Sequence, residues 1–357
     1  MRAVFIQTYP IYHDLLDTQQ WLGRINRDRW MPGIMADMGI EVELWGGDYK
    51  NSSHKSELEG KGFGSYPIRL FETVDDNSQT KKHYSDTLVD FAKNFDADLY
   101  LLKGVDGGVG LRLLNSYLLP EKKPFVFIIG GKFYTNHVPK ADLVFYETEE
   151  QKEKLRNPGW RFWRSSIEEE RLLRLPKSVD TNLFRPIEGM EKKWDIVCVG
   201  RLINRYKNYD ALKELSQHFR IGMVGGGPAK EEFERKFPEI EFVGQVPNDQ
   251  VPEYLNRAHA FIHPGQNDFF PRVISEAAAC GCILLAFADS IAPDVLPPDC
   301  GLRLNRNTYV EEIQKLFDDK DLMEEMGNNA RSYAVESLHK HSTREPMNKM
   351  LEILDFR

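Results

Sequence analysis

Cysteine is scarce in this chain, with four among 357 residues. Cys198, Cys280, Cys282 and Cys300 lie in mostly apolar surroundings, with no CxxC spacing and no histidine partners. They read as reduced core thiols of a cytoplasmic protein rather than as a zinc site, and no metal is expected. Long apolar runs are missing too: none approaches the about 18 residues that a membrane span needs. The first residues enter a short apolar stretch directly and do not read as a signal peptide, while peripheral membrane contact stays open. Positive charge is not in excess. With 47 basic and 55 acidic residues the net charge is −8, which speaks against bulk nucleic-acid binding, although a local basic patch still suits a phosphate. Low-complexity segments and internal sequence repeats are absent. What remains is a chain with 41% hydrophobic residues, too apolar for disorder and long enough for about two domains of roughly 150 residues each.

Short apolar runs alternate with amphipathic stretches throughout. In the amino-terminal half, strands are expected at 3–7, 41–45, 98–102, 125–129 and 142–146. Helices are expected at 24–38, ending at Gly39, and at 85–94, 111–118 and 149–155. The rhythm restarts near Lys193, with strands at 195–199, 220–224, 240–243, 260–263 and 283–287. Helices at 209–218, 230–237, 251–257 and 272–280 lie between them, and 339–356 reads as a last helix. Buried strands separated by helices predict parallel sheets covered on both faces, hence an α/β protein of two Rossmann-like, doubly wound domains. The domains are placed at 1–174 and 175–338, with residues 339–357 packing back on the first. Two such domains enclose a cleft facing the carboxyl ends of their strands, where ligands of open α/β sheets bind.

Three loops carry candidate chemistry. The segment Asp268-Phe269-Phe270-Pro271-Arg272-Val273-Ile274-Ser275-Glu276 follows a strand and enters a helix, with Pro271 suited to the first helical position. A helix start offers N–H groups to a phosphate. Asp268 outside it and Glu276 about 6–8 Å along it, at about 1.5 Å per residue, would accept hydrogen bonds from the sugar hydroxyls of a nucleotide-sugar. The same residues would also serve as a capping aspartate and a surface glutamate. Arg201 after Gly200, with Lys207 six residues on, would neutralise a diphosphate, Arg bidentately and Lys as a point charge, or would simply be solvated. The turn Gly225-Gly226-Gly227-Pro228 permits close approach of backbone to ligand.

Further motifs stand in fixed order around these. Leu175-Pro176-Lys177-Ser178-Val179-Asp180-Thr181-Asn182-Leu183-Phe184-Arg185-Pro186 precedes the second sheet. Phe242-Val243-Gly244-Gln245-Val246-Pro247 follows the glycine turn, and Ala277-Ala278-Ala279-Cys280-Gly281-Cys282 continues the last helix. In this order and spacing the set resembles the carboxy-terminal domain of retaining glycosyltransferases of the GT-B fold, family four (group 1 type). The resemblance covers residues 175–342 closely and the amino-terminal half in architecture alone.

The resemblance implies that Arg201 and Lys207 hold the donor diphosphate. Glu276 matches the second acid of the family's E-x7-E motif, on the ribose hydroxyls, and Asp268 takes the place of the first acid, on the transferred sugar. The backbone of Phe270, Pro271, Arg272 and Val273 matches the loop touching sugar and phosphate, and Gln245, Val246 and Pro247 match the stretch beside the nucleobase. Asp268, Arg201 and Lys207 are then the catalytic set, and no cofactor is implied beyond a nucleoside-diphosphate sugar as donor substrate. Asp in place of Glu at 268 shortens the reach, and Phe269 and Pro271 replace glycines, narrowing the pocket. Gly130-Gly131-Lys132 stands where the family often carries a histidine, and residues 8–14 replace its glycine-rich first loop.

On the acceptor side, His13, Asp106 and Lys132 follow strand ends and are the candidates. The aromatic stretch 160–164 suits packing between domains, or docking on a membrane or acceptor. The expected activity is metal-independent, retaining transfer of a sugar, taken as a hexose, to a glycan, lipid or other hydroxyl acceptor in glycan biosynthesis. A non-catalytic nucleotide-sugar-binding relative and a sugar-nucleotide epimerase on the same fold are the alternatives.

Overall fold

In strand β1 (Arg2–Gln7) alternate side chains enter opposite layers, as the two-residue period of a strand requires. Ala3 and Phe5 join one apolar cluster and Val4 and Ile6 the other. The computed structural model describes all residues except 15, 24–25, 57, 59–62, 132, 158, 160–164, 204–208, 266–267 and 357. Lys132, Lys207 and the stretch 160–164 therefore lie outside the described residues. The chain divides into two units, Met1–Pro176 with His341–Arg357, and Lys177–Lys340.

Unit 1 continues with β2 (Glu41–Asp48), β3 (Ser52–Lys55), β4 (Pro67–Glu72), β5 (Leu99–Lys103), β6 (Phe125–Ile128), β7 (Leu143–Tyr146) and β8 (Leu172–Arg174). Its sheet has the order β3-β4-β2-β1-β5-β6-β7-β8. All neighbours run parallel except β3 and β4, which are antiparallel, a departure from the wholly parallel expectation. β3 is a polar edge strand, Ser-Ser-His-Lys, of the kind that blunts a sheet edge. Helices α1 (Thr18–Leu22), α2 (Arg27–Asp37), α3 (Asp86–Phe95), α4 (Gly108–Leu113) and α5 (Glu149–Arg156) connect the strands. The helix expected at 24–38 starts at Arg27, because the Asn26 side chain accepts the Asp28 N–H and caps it. The helix expected at 111–118 starts earlier, at Gly108, and relaxes to π pitch over Leu114–Leu118.

Unit 2 holds β9 (Trp194–Val199), β10 (Ile221–Val224), β11 (Glu241–Gly244), β12 (Ala258–His263), β13 (Ile283–Phe287) and β14 (Gly301–Leu304), in the order β11-β10-β9-β12-β13-β14. Its pairings are parallel throughout. Helices α6 (Asp210–Leu215), α7 (Lys230–Lys236), α8 (Val251–Asn256), α9 (Arg272–Ala279), α10 (Tyr309–Phe317) and α11 (Lys320–Ser337) cover both faces. The tail is not one helix over 339–356. A 3-10 turn at Lys340–Thr343 precedes α12 (Arg344–Ile353), which packs on α2 and β8 of unit 1.

Each sheet has a switch point, between β1 and β5 in unit 1 and between β9 and β12 in unit 2. At such a switch point the loops leaving neighbouring strands diverge and open a crevice at the carboxyl ends. No helix among the described residues is long and apolar enough to cross a membrane, and the four cysteines are buried thiols outside any disulfide.

Candidate functional site

The first loop at the unit 2 switch point leaves β9 through Gly200 and Arg201. Its backbone is stitched to the glycine turn after β10. Gly200 N–H donates to Val224 O at 2.9 Å, and Leu202 N–H donates to Gly226 O at 2.9 Å. Only glycine fits this contact. A Cβ on Gly225 would lie 1.9 Å from Gly200 O, and one on Gly227 would lie 2.3 Å from Leu202 O. Their φ angles of 143° and 151° already disfavour any side chain. Gly226 in turn lies against Gln245, where a Cβ would meet the Gln245 Cβ at 2.9 Å. The Arg201 side chain is exposed, and its carbonyl accepts from the Tyr209 hydroxyl at 3.0 Å.

The next link joins the loop after β11 to α9. Gln245 and Pro247 are exposed and Val246 is half-buried, and Asn248, directly after them, lies near enough to the Glu276 carboxylate to favour its charged form. Glu276 is 8% exposed, which removes the surface-glutamate reading. Burial pushes its carboxyl above the ordinary range, while Arg272 one turn earlier and Asn248 pull it back. A buried carboxylate placed in this way has acceptor capacity left for hydroxyl groups.

Pro271 is not the first helical residue, contrary to the sequence expectation. Its ψ of 126° is extended, so it caps α9 and the helix begins at Arg272. The cause is visible in Lys177. Its ammonium donates to Phe270 O, and its own carbonyl accepts from Ser275 Oγ at 2.8 Å, so Lys177 straps the strand-to-helix turn in its extended form. Phe270 is buried at 1% exposure, Arg272 is exposed and Val273 half-buried. Asp268 is half-exposed and its N–H donates to Ser290 O at 3.1 Å. Its carboxylate lies 4.0 Å from Nε2 of His263, a buried histidine at the end of β12. That ring rests against Gly265, where a Cβ would come within 2.2 Å of Nε2.

The loops carrying Arg201 and Gln245 thus meet on the glycine turn at the carboxyl ends of the unit 2 strands, with Asn248 near Glu276 and Asp268 on the turn leading into α9. Lys207 lies outside the described residues. Sequence reasoning missed the roles of Lys177, in the segment before the second sheet, and of Asn248, one residue past the nucleobase stretch. Neither stood out by type, because each acts through a contact between segments far apart in the chain.

At the unit 1 switch point the structure gathers His13 and Asp106 around Tyr9, which the sequence reading did not single out. The Tyr9 ring stacks on His13, with centroids 5.3 Å apart, and its hydroxyl donates to Asp106 Oδ1 across the β1/β5 divide. Burial foremost, then the Asp106 hydrogen bond and charge, push the Tyr9 hydroxyl well above its ordinary range, so it stays protonated and donates. His13 Nδ1 pairs with Thr80 Oγ1 at 2.7 Å. Four glycines let these loops approach: a Cβ on Gly104, Gly107 or Gly110 would strike Thr8 within 2.6 Å, and one on Gly108 would lie 2.2 Å from Lys82 O. Lys132 lies outside the described residues.

Residues 180–333 match the family described as glycosyl transferases group 1. Among curated proteins, a phosphatidylinositol N-acetylglucosaminyltransferase component of Arabidopsis thaliana is 30% identical over 38% of this chain and 34% of its own. The chain spans about a third of the length of the curated relatives it matches. Among solved structures, sucrose-phosphate synthase of Thermosynechococcus elongatus superposes with a TM-score of 0.73 at 16% identity, covering 100% of this chain and 99% of that one. HepE of Anabaena, solved with UDP-glucose, gives 0.69 at 13% identity, covering 99% of each chain. On a fold of GT-B type, residues 180–333 form a glycosyl transferases group 1 domain.

Proposed function

We propose that this protein is a retaining glycosyltransferase that takes a hexose from a nucleoside-diphosphate sugar and passes it to an acceptor hydroxyl. The observation that carries the reading is the meeting of the loops of Arg201 and Gln245 on the glycine turn at the carboxyl ends of the unit 2 strands, with Asn248 near buried Glu276. HepE, of similar fold, was solved with UDP-glucose, which makes a uridine nucleotide the first donor to try.

In this scheme Glu276 accepts hydrogen bonds from the ribose, and Gln245 to Pro247 flank the base. Asp268 orients the transferred sugar. Loss of the nucleoside diphosphate is the hard step. Arg201, Lys207 and the start of α9 stabilise the charge that develops on it, so that the reaction proceeds without a metal. The leaving phosphate itself takes the acceptor proton, and holding both substrates in register supplies much of the remaining rate. Four buried cysteines outside any disulfide suit a reducing, cytoplasmic setting.

The test uses the full chain. Melting temperature is measured with UDP-glucose, UDP-N-acetylglucosamine, GDP-mannose and ADP-glucose, and diphosphate release is followed with and without acceptor and chelator. One donor should raise the melting temperature by mass action, with release that depends on acceptor and ignores the chelator. Arg201→Ala and Glu276→Ala should each weaken donor binding about tenfold or more, the scale of a lost hydrogen bond to a charged group. Unchanged affinity in both variants overturns the scheme. Donor binding without release points instead to a binding protein, and interconversion of the donor sugar without release to an epimerase.

A further inference from the structure

The edge of the unit 1 sheet holds a second aromatic pair that the donor site does not use. Tyr49 directly follows β2 and lies face to face on Tyr12, with centroids 3.9 Å apart and planes 9° from parallel. Tyr12 is 5% exposed, whereas Tyr49 is 64% exposed. With one Tyr49 face covered by Tyr12, that exposure falls on its rim and outer face.

The underlying ring is clamped. Tyr12 Oη lies 2.7 Å from Thr73 Oγ1 and 2.8 Å from His83 Nδ1. His83 is buried, and its Nε2 faces Asp75 Oδ1 at 3.2 Å and Ser78 O at 3.3 Å. Both are acceptors, so Nε2 carries a proton, and in the neutral ring Nδ1 accepts from the Tyr12 hydroxyl. Asp48, buried beside Tyr49, fixes it from behind by accepting the Tyr49 N–H at 2.7 Å. A solvent-facing tyrosine held this firmly presents a flat apolar surface with little further entropy to lose on binding.

Asp75 and Asp48 act on the Tyr12 hydroxyl, and Asp106 and Asp14 on that of Tyr9 in the same loop. Asp75, 56% exposed at its side chain, has acceptor capacity left for the hydroxyls of a neutral sugar. The C–H face of a pyranose matches an exposed aromatic ring.

We propose that this edge is an acceptor subsite for a neutral saccharide, whose ring stacks on Tyr49 while its hydroxyls bond to the neighbouring carboxylates. The word acceptor rests on the glycosyltransferase reading above, and the saccharide site itself does not.

The experiment places the full chain and its Tyr49→Ala and Tyr49→Phe variants on an array of neutral oligosaccharides that also carries inositol 1-phosphate and phosphorylated sugars. Affinities of retained ligands are then measured by titration. The wild type should retain at least one neutral oligosaccharide, and Tyr49→Ala should weaken it about tenfold, the scale of a lost aromatic contact. Tyr49→Phe should bind as the wild type does. The melting shift with UDP-glucose should be the same in all of them, which also shows that the variants fold. Retention of no neutral glycan, preference for the phosphorylated ligands, or full affinity in Tyr49→Ala overturns the subsite. A lost UDP-glucose shift in the wild type with saccharide binding intact overturns the donor reading alone.

Discussion

A glutamate one turn inside a helix, with 8% of its surface exposed, is a costly residue to keep ionised, and Glu276 shows the cost as a raised carboxyl pKa. The sign of its pH effect depends on the process. For folding, the native state holds the proton to higher pH than the unfolded chain does. Its contribution to stability therefore falls as pH rises from the ordinary glutamate value of about 4.3 through the raised one. For donor binding the sign reverses. On the proposed scheme, ribose hydroxyls donate to the carboxylate and favour its charged form, so the bound state would release a proton. Affinity for UDP-glucose should fall as pH drops through the raised value, whereas a terminal phosphate titrating near about pH 6, absent from this donor, cannot contribute. Glu276→Gln should flatten the profile. Calorimetric titrations of both proteins from about pH 5 to about pH 8 check this, and parallel slopes would remove Glu276 from the ribose contact.

Among the elements, the turn after β10 does most to set the proposed donor edge, because the loops after β9 and β11 meet on its glycines. Gly225→Ala adds a Cβ 1.9 Å from the Gly200 carbonyl at a φ of 143°. The backbone must shift, which should cost about 1–3 kcal/mol or more and weaken UDP-glucose binding as well. Gly131→Ala, where nothing lies within 4 Å, should cost far less. Urea unfolding of the two variants makes the comparison, and equal stability would show that the turn adapts. The central strands were legible in sequence because burial on both faces writes an unbroken apolar run, as in Ile283–Phe287, which was read to the residue. β3 was not, because Ser-Ser-His-Lys on an edge has neither run nor alternation. β8 is only three residues long. The glycine turn and the two acids were visible by type and spacing. Lys177, Asn248 and Tyr9 were not, since each is defined by a partner 93, 28 or 97 residues away.

On the scale of the molecule, the chain leaves unit 1 near Pro176 and re-enters it at His341, so the last turns complete a core begun 340 residues earlier. Met347, Met350 and Leu351 are buried in the cluster that also holds Ala3 and Phe5 of β1. Arg344 pairs with Asp37 at the end of α2, and His341 stacks on Phe63. At about 1.5–3 kcal/mol per buried apolar side chain, those three residues contribute about 5–9 kcal/mol as an upper bound. That is comparable to the about 5–15 kcal/mol that holds a whole domain folded. Removing residues 341–357 should therefore loosen unit 1 and leave unit 2 able to take its nucleotide. Amide exchange separates the two. In the shortened protein β1 and β5 should lose protection, while UDP-glucose still slows exchange in the loop after β9 and the turn after β10. Undiminished protection in β1 would show that unit 1 folds without α12. Loss of the UDP-glucose effect would show instead that the donor edge depends on an intact unit 1.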